Sequence, residues 1–293
     1  MTYKSRRTPR FEQLTVRGIR HHLTWWGEPT DTPVLLLHGF QDTGATWQFL
    51  VDCLPDSWSL VAPDWRGFGD TGWAEGGYWF PDYLADLDFL LEALTPGPAR
   101  VIGHSMGANV AGLYAGVRPA RFKWFVNLEG VGLPRTTAEM APARFSQWLD
   151  ELRQTPRVSR YASVGELAGI LRSRNPRLSA DHAEFVARAW TRETPDGEVR
   201  LAFDPRHRYV NPVLYRREEA EACWARVECP MLLVTGGNST HEQRRRADFD
   251  DARVRELFRN SSIVTLPGLG HMMHHEDPQA VADCILEFER AQP

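Results

Sequence analysis

Apolar and polar residues alternate along residues 11–16, and Arg17-Gly18 can turn the chain into a second strand over 19–26. A period of two marks a half-buried strand, so the two segments read as a hairpin closed by a tight turn. The pattern then changes. Val34-Leu35-Leu36-Leu37 and Met231-Leu232-Leu233-Val234 are continuously apolar, as in strands covered on both faces of a parallel sheet. Residues 59–62, 101–102, 122–128 and 262–266 read as further short strands. Between them the spacing becomes helical. Tyr83, Leu84, Leu87, Leu90, Leu91 and Leu94 lie on one face of a helix over 80–94, ended by Thr95-Pro96-Gly97-Pro98. Short helices are expected at 47–53, from 108 to about 117, and at 248–258. Pro278 opens a last helix whose apolar face is Val281, Cys284, Ile285 and Phe288. Strand and helix alternate from 34 to 130. That rhythm predicts an α/β fold with a mostly parallel central sheet and helices on both faces.

The rhythm breaks over 132–220, where no buried-strand run occurs. Helical fragments at 145–152, 164–172 and 180–190 are separated by Pro, Asn and Ser turns. This stretch reads as a helical insertion over the sheet. The expected division is a core of 1–131 and 221–293 and an inserted helical domain of 132–220.

Composition narrows the partners. The net charge of -4 gives no reason to expect nucleic acid or an anionic membrane. No apolar run reaches the length of a membrane span, and residues 1–10 are too polar for a secretory signal. Cys53, Cys223, Cys229 and Cys284 are scattered and read as free thiols of a cytoplasmic protein. The expected partner is a small-molecule substrate, and the chain is expected to be a monomer or homodimer.

The chemistry begins at Gly103-His104-Ser105-Met106-Gly107, between a strand and a small-residue helix. A sharp strand-to-helix turn strains its central residue and requires glycines two before and two after it. Such a turn lifts the Ser105 hydroxyl clear of the sheet and sets the Met106 N–H at a helix N-terminus. A serine hydroxyl needs a base within reach and a third group to orient that base. Of the ten histidines, His271 in Gly268-Leu269-Gly270-His271 is the best base, because it follows the last short strand. His274 and His275 lie close by, but three histidines in five residues without a carboxylate pattern are a weak metal signal. No metal and no cofactor are expected.

Four motifs in this order resemble the α/β-hydrolase superfamily over nearly the whole chain. His38-Gly39-Phe40 is similar to its oxyanion loop, and residues 63–69 to its second glycine-rich loop. Residues 103–107 are similar to its nucleophile elbow, and 268–271 to its histidine loop. The resemblance implies Ser105 as nucleophile, His271 as base, and the backbone N–H groups of Phe40 and Met106 as oxyanion hole. It implies that His38, Asp64 and Arg66 support loops. His104 is expected to be a packing residue. The family's usual acid follows the strand matching 231–234, where this chain has Thr235-Gly236-Gly237-Asn238-Ser239-Thr240 and no carboxylate. Some relatives, haloalkane dehalogenases among them, carry the acid at the neighbouring strand end, which is Glu129 here. The expected acid is therefore Glu129, with Glu242 or Asp248 as alternatives. A pairing of Glu129 with Arg135 would argue against that role.

The resemblance also implies that 132–220 is a cap over Ser105. Its aromatics and those of nearby loops suggest an apolar or aromatic substrate group, with Trp73, Trp148 and Tyr215 expected to bind it. A fainter likeness links 129–134 and 211–215 to serine hydrolase-like proteins. The expected function is hydrolysis of a carboxylic ester through an acyl-enzyme. Carbon–carbon or thioester hydrolysis on the same residues, or ligand binding without turnover, are the alternatives.

Overall fold

The structure is a computed structural model that describes residues 3–292. Met1, Thr2 and Pro293, which fall in the expected core, lie outside the described residues. The main sheet has eight strands. They are β1 (Arg10–Val16), β2 (Ile19–Trp26), β3 (Val34–Leu37), β4 (Leu60–Pro63), β5 (Ala99–His104), β6 (Phe122–Leu128), β7 (Met231–Gly236) and β8 (Ser261–Leu266). Their order is β1-β2-β4-β3-β5-β6-β7-β8. Only the β1–β2 and β2–β4 pairs are antiparallel.

All four β3 side chains are fully buried, and they divide by the pleat. Leu35 and Leu37 join a cluster with the helices Phe80–Leu94, Met106–Val117, Arg217–Trp224 and Asp251–Leu257. Val34 and Leu36 face the other way, against Leu50, Met273 and the helix Pro278–Arg290. A fully buried leucine contributes roughly 2 kcal/mol, so both faces must be covered. From β3 the chain moves to β4 on one side and then returns to β5 on the other. The loops after β3 and β5 therefore leave the sheet side by side at its carboxyl edge, where open parallel sheets form their sites.

Two loop supports are visible at this edge. Asp64, just past β4, accepts from the N–H groups of Gly44 at 2.6 Å and Asp70 at 2.9 Å. The Arg66 guanidinium grips both oxygens of the buried Asp86 at 2.5 Å.

The stretch 132–220 contains the helices Ala141–Glu151, Val164–Arg174 and Ala180–Ala189. It also holds a small antiparallel sheet of Arg160–Tyr161, Val199–Leu201 and Thr191–Glu193, in that order, too short to leave a period in the sequence. It is tied to the sheet edge at several points. Gly69 N–H donates to Ala202 O at 2.7 Å, and Asp204 N–H to Gly67 O at 2.8 Å. Asn175 Nδ2 donates to Glu276 at 2.9 Å, and Trp190 Nε1 to Asp42 Oδ1 at 2.7 Å.

Two boundaries differ from expectation. The helix Arg217–Trp224 straddles residue 220 and packs Ala220 and Trp224 into the main core, with its backbone against Gly116. The helix expected at 248–258 is Asp251–Leu257, and a further helix that was not expected, Thr240–Asp248, precedes it. Asp250 breaks them apart by capping the second, accepting from Arg253 N–H at 2.8 Å.

Candidate active site

Ser105 sits between β5 and the helix Met106–Val117 with φ +50° and ψ −112°, a conformation that costs about 1–3 kcal/mol. Its surroundings hold it there. Ser105 N–H donates to Leu128 O at 2.9 Å, and Ser105 O accepts from Asn109 N–H at 2.9 Å. The flanking glycines are sterically required. A Cβ on Gly103 would stand 2.7 Å from Ala108 Cα, and one on Gly107 would stand 2.2 Å from Leu37 O. Met106 is the first helical residue, so its N–H has no partner within the helix.

The loop after β3 passes directly beside this turn. A Cβ on Gly39 would lie 3.2 Å from Ser105 Cβ, and Phe40 follows. His38 fixes this loop. Its Nδ1–H donates to Gly39 O at 2.7 Å, and its Nε2 accepts from Trp65 N–H at 2.9 Å. Burial holds its imidazole neutral by lowering its pKa, which that donor–acceptor pair requires.

Glu129 is the residue after β6. Its backbone also has a left-handed φ of +50°, and its N–H donates to Val234 O at 3.1 Å. The carboxylate points across the end of β7. One oxygen accepts from Gly236 N–H at 2.6 Å, and the other from Ser239 Oγ at 2.7 Å and His271 Nδ1 at 2.7 Å. The Glu129 side chain is 2% exposed. A carboxylate accepts at this contact, so Nδ1 of His271 is the donor, and in the neutral ring Nε2 then keeps its lone pair.

The other candidates for the acid are committed elsewhere. Glu242 pairs with Arg245 and Arg246, both at 2.6 Å. Asp248 pairs with Arg217 at 3.0 Å. Arg135 does not pair with Glu129: it reaches Glu218 at 2.8 Å and Glu221 at 3.0 Å.

Ser239 stands where the sequence places no acid, and nothing in the sequence signalled its bond to Glu129. It also caps the helix Thr240–Asp248, accepting from Glu242 N–H at 3.3 Å. His241, on that helix, stacks on the His271 ring at 4.1 Å. His104, expected to be packing only, does more. It is buried, and its Nε2 lies 2.9 Å from the His271 carbonyl oxygen. Burial, then the nearby His271, push the His104 pKa well down, so a neutral Nε2–H donates to that carbonyl.

A cavity of about 600 Å³ opens beside Ser105, Glu129 and His271. Its apolar wall is Val131, Leu133, Pro134 and Leu233, and its polar wall includes Arg217 and Arg244. The three expected binding aromatics are not part of it. Trp73 is 56% exposed and faces solvent. Trp148 packs on Trp79 at 6.2 Å beside a separate cavity of about 140 Å³. Tyr215 packs against the main core, and its carbonyl accepts from Thr136 Oγ1 at 2.6 Å.

A family model described as alpha/beta hydrolase family matches residues 34–284. A serine hydrolase-like protein of Danio rerio is 28% identical over 276 residues, spanning 91% of this chain and 84% of that protein. A putative 2-succinyl-6-hydroxy-2,4-cyclohexadiene-1-carboxylate synthase of Bacillus subtilis (strain 168) is 26% identical over 291 residues, 92% of this chain and 95% of its own. Among solved structures, a thioesterase domain from the curacin biosynthetic pathway superposes with a TM-score of 0.85 at 28% identity, covering 96% of this chain and 99% of that one.

Proposed function

The chain belongs to the alpha/beta hydrolase family, and from that premise we propose that it is a serine hydrolase cleaving a carboxylic ester of a small molecule. Ser105 Oγ attacks the carbonyl carbon while His271 Nε2 takes its proton. The N–H groups of Phe40 and Met106 stabilise the oxyanion, and the alcohol leaves with the proton from His271. Water then attacks the acyl-enzyme by the same route and releases the acid. Glu129 holds the tautomer and orients the ring. The observation that carries this reading is the 2.7 Å contact of Glu129 with His271 Nδ1, on a carboxylate already anchored by Gly236 and Ser239.

The stretch 132–220 serves as a cap. The apolar wall of Val131, Leu133, Pro134 and Leu233 suits an apolar substrate group. No Trp, Tyr or Phe lines that cavity among the described residues, so an aromatic preference finds no support there. No helix among the described residues is long and apolar enough to cross a membrane. The four free cysteines are in keeping with a reducing, cytoplasmic setting.

A second reading, thioester hydrolysis, is favoured by the likeness to the curacin thioesterase domain. The two are separated by kcat/KM for one acyl group presented as a p-nitrophenyl ester and as a thioester. A fluorophosphonate probe tests the shared premise. Covalent labelling of the wild type and none of Ser105→Ala is expected. Unlabelled, well-folded wild type refutes hydrolysis and leaves ligand binding without turnover.

A further inference from the structure

Behind the His271 loop lies a cluster of buried donor atoms that the proposed reaction does not use. Asp42, His104 and His274 are each no more than 2% exposed, and each offers a ligand atom within 4.8 Å of the others. Asp42 Oδ2, His104 Nδ1 and both ring nitrogens of His274 have no hydrogen-bond partner. His274 Nε2 is 4.0 Å from Asp42 Oδ2, and His275 Nε2 is 3.9 Å from the same oxygen. These gaps are too long for direct hydrogen bonds, and a buried carboxylate oxygen left without a cation or donor is costly.

The rest of each group is already held. Asp42 Oδ1 accepts from Thr43 N–H at 2.8 Å, Thr46 Oγ1 at 2.7 Å and Trp190 Nε1 at 2.7 Å, leaving Oδ2 to face the imidazoles. His104 donates Nε2–H to the His271 carbonyl, which leaves Nδ1 with a free lone pair and no partner. A ligating histidine characteristically has its second ring nitrogen fixed in this way, on a backbone carbonyl.

We propose that Asp42 Oδ2, His104 Nδ1 and His274 Nε2 bind one divalent transition-metal ion of the Zn²⁺ type. Two imidazoles and one carboxylate are the donor set such ions take. Ligand atoms about 3.4 Å apart would suit tetrahedral bonds near 2.1 Å, so the trio contracts by roughly half an ångström or more on binding. The ion ties together the loop after β3, the end of β5 and the segment that carries His271. It is structural rather than catalytic, since every ligand is buried and none faces the cavity beside Ser105. The sequence hid the site because the carboxylate that His274 lacked nearby is Asp42, at the opposite end of the chain. A second trio, His22, Asp64 and Asp70, is not built in this way: both Asp64 oxygens are occupied by backbone N–H groups, and Asp70 is exposed.

The test is metal content of the full chain expressed in medium with added Zn²⁺ or Co²⁺, then dialysed against a chelator to strip surface ions. The expected result is about one equivalent per chain, with visible absorption from Co²⁺ held on nitrogen and oxygen ligands. The Zn²⁺ form should also melt about 5 °C above chain expressed without added metal, the size of a hundredfold excess over Kd. His274→Gln and Asp42→Asn should each retain under about a tenth of an equivalent, while His22→Gln retains the full amount. Should a variant fail to fold, the wild-type Co²⁺ spectrum decides. Wild type that holds neither ion, or an ion that persists in His274→Gln, overturns the proposal. Fluorophosphonate labelling is read separately, so a failed metal site leaves the hydrolase reading standing.

Discussion

Replacing Glu129 with Gln changes one oxygen of the site into an NH₂ group, and the surroundings dictate where that group goes. Gly236 N–H, 2.6 Å from the carboxylate, is a backbone donor and cannot turn into an acceptor. The amide oxygen must therefore face Gly236, and the NH₂ group must face Ser239 Oγ and His271 Nδ1. Ser239 can rotate its hydroxyl and accept. His271 can accept only by moving its proton from Nδ1 to Nε2. The proton then sits on the nitrogen that should receive the one from Ser105, and the base is blocked. Loss of the imidazolium's counter-charge adds to this. By analogy with acid-to-amide changes in serine triads, kcat should fall by about 10³- to 10⁴-fold, or about 4–5.5 kcal/mol of transition-state stabilisation. The fold should hardly notice, because the new amide keeps partners on Gly236, Ser239 and His271 and a buried charge is removed. The assay is steady-state hydrolysis of a short-chain p-nitrophenyl ester, with the urea midpoint measured alongside. A kcat within tenfold of wild type in a protein of unchanged midpoint would refute the role given to Glu129.

Two further outcomes follow from the same contacts. Ser239→Ala removes one of the three donors on Glu129 and the cap of the helix Thr240–Asp248; kcat should fall about tenfold and stability by about 1 kcal/mol, read by ester turnover and urea titration. His207 is sandwiched between Tyr78 at 3.5 Å and Phe68 at 4.0 Å, and burial lowers its pKa to about 3. A neutral histidine of this kind contributes stability that is complete above the unfolded pKa near 6.5 and is lost as pH falls from there toward 3. Allowing for its partial exposure, unfolding free energy should drop by about 1 kcal/mol from this residue between pH 7 and 5. Asp64 works in the opposite direction, since burial raises its pKa to about 6 and its destabilising charge is neutralised over the same interval. Urea titrations at pH 7 and 5 of wild type and His207→Phe isolate the term: equal pH dependence in the two proteins would contradict it.

Much of the frame could be read from the chain because its signals are local. The runs at 34–37 and 231–234 are short and apolar because both sheet faces are covered, and the elbow glycines are dictated by contacts within a few residues or one strand away. The position of Glu129 at a strand end was legible for the same reason. What failed depends on packing between distant segments. A tryptophan such as Trp73 or Trp148 carries the same apolar surface whether it lines a pocket, packs on a neighbour or faces solvent. The strands around 160, 192 and 200 have two or three residues each, too few for a period. The helix Thr240–Asp248 escapes a reading of the sequence because it is almost wholly polar and leaves no apolar period. The partnership of Asp42 with the histidines near 274 crosses almost the whole chain, so no spacing rule could expose it.

The left-handed backbone of Glu129 has a consequence for how the protein is made. Its N–H is held by Val234 and its carboxylate by Gly236, so the residue acquires its shape only when β7 docks beside β6, about a hundred residues later in synthesis. Parallel strand pairing across such a loop is among the slower steps of folding. A nascent chain that has finished β6 already carries its serine, but the carboxylate has nothing to hold it and the histidine has yet to be synthesised. On the proposed mechanism, the Ser105 hydroxyl therefore lacks its base and orienting acid through most of translation, and competence for hydrolysis would arrive only as the sheet is completed.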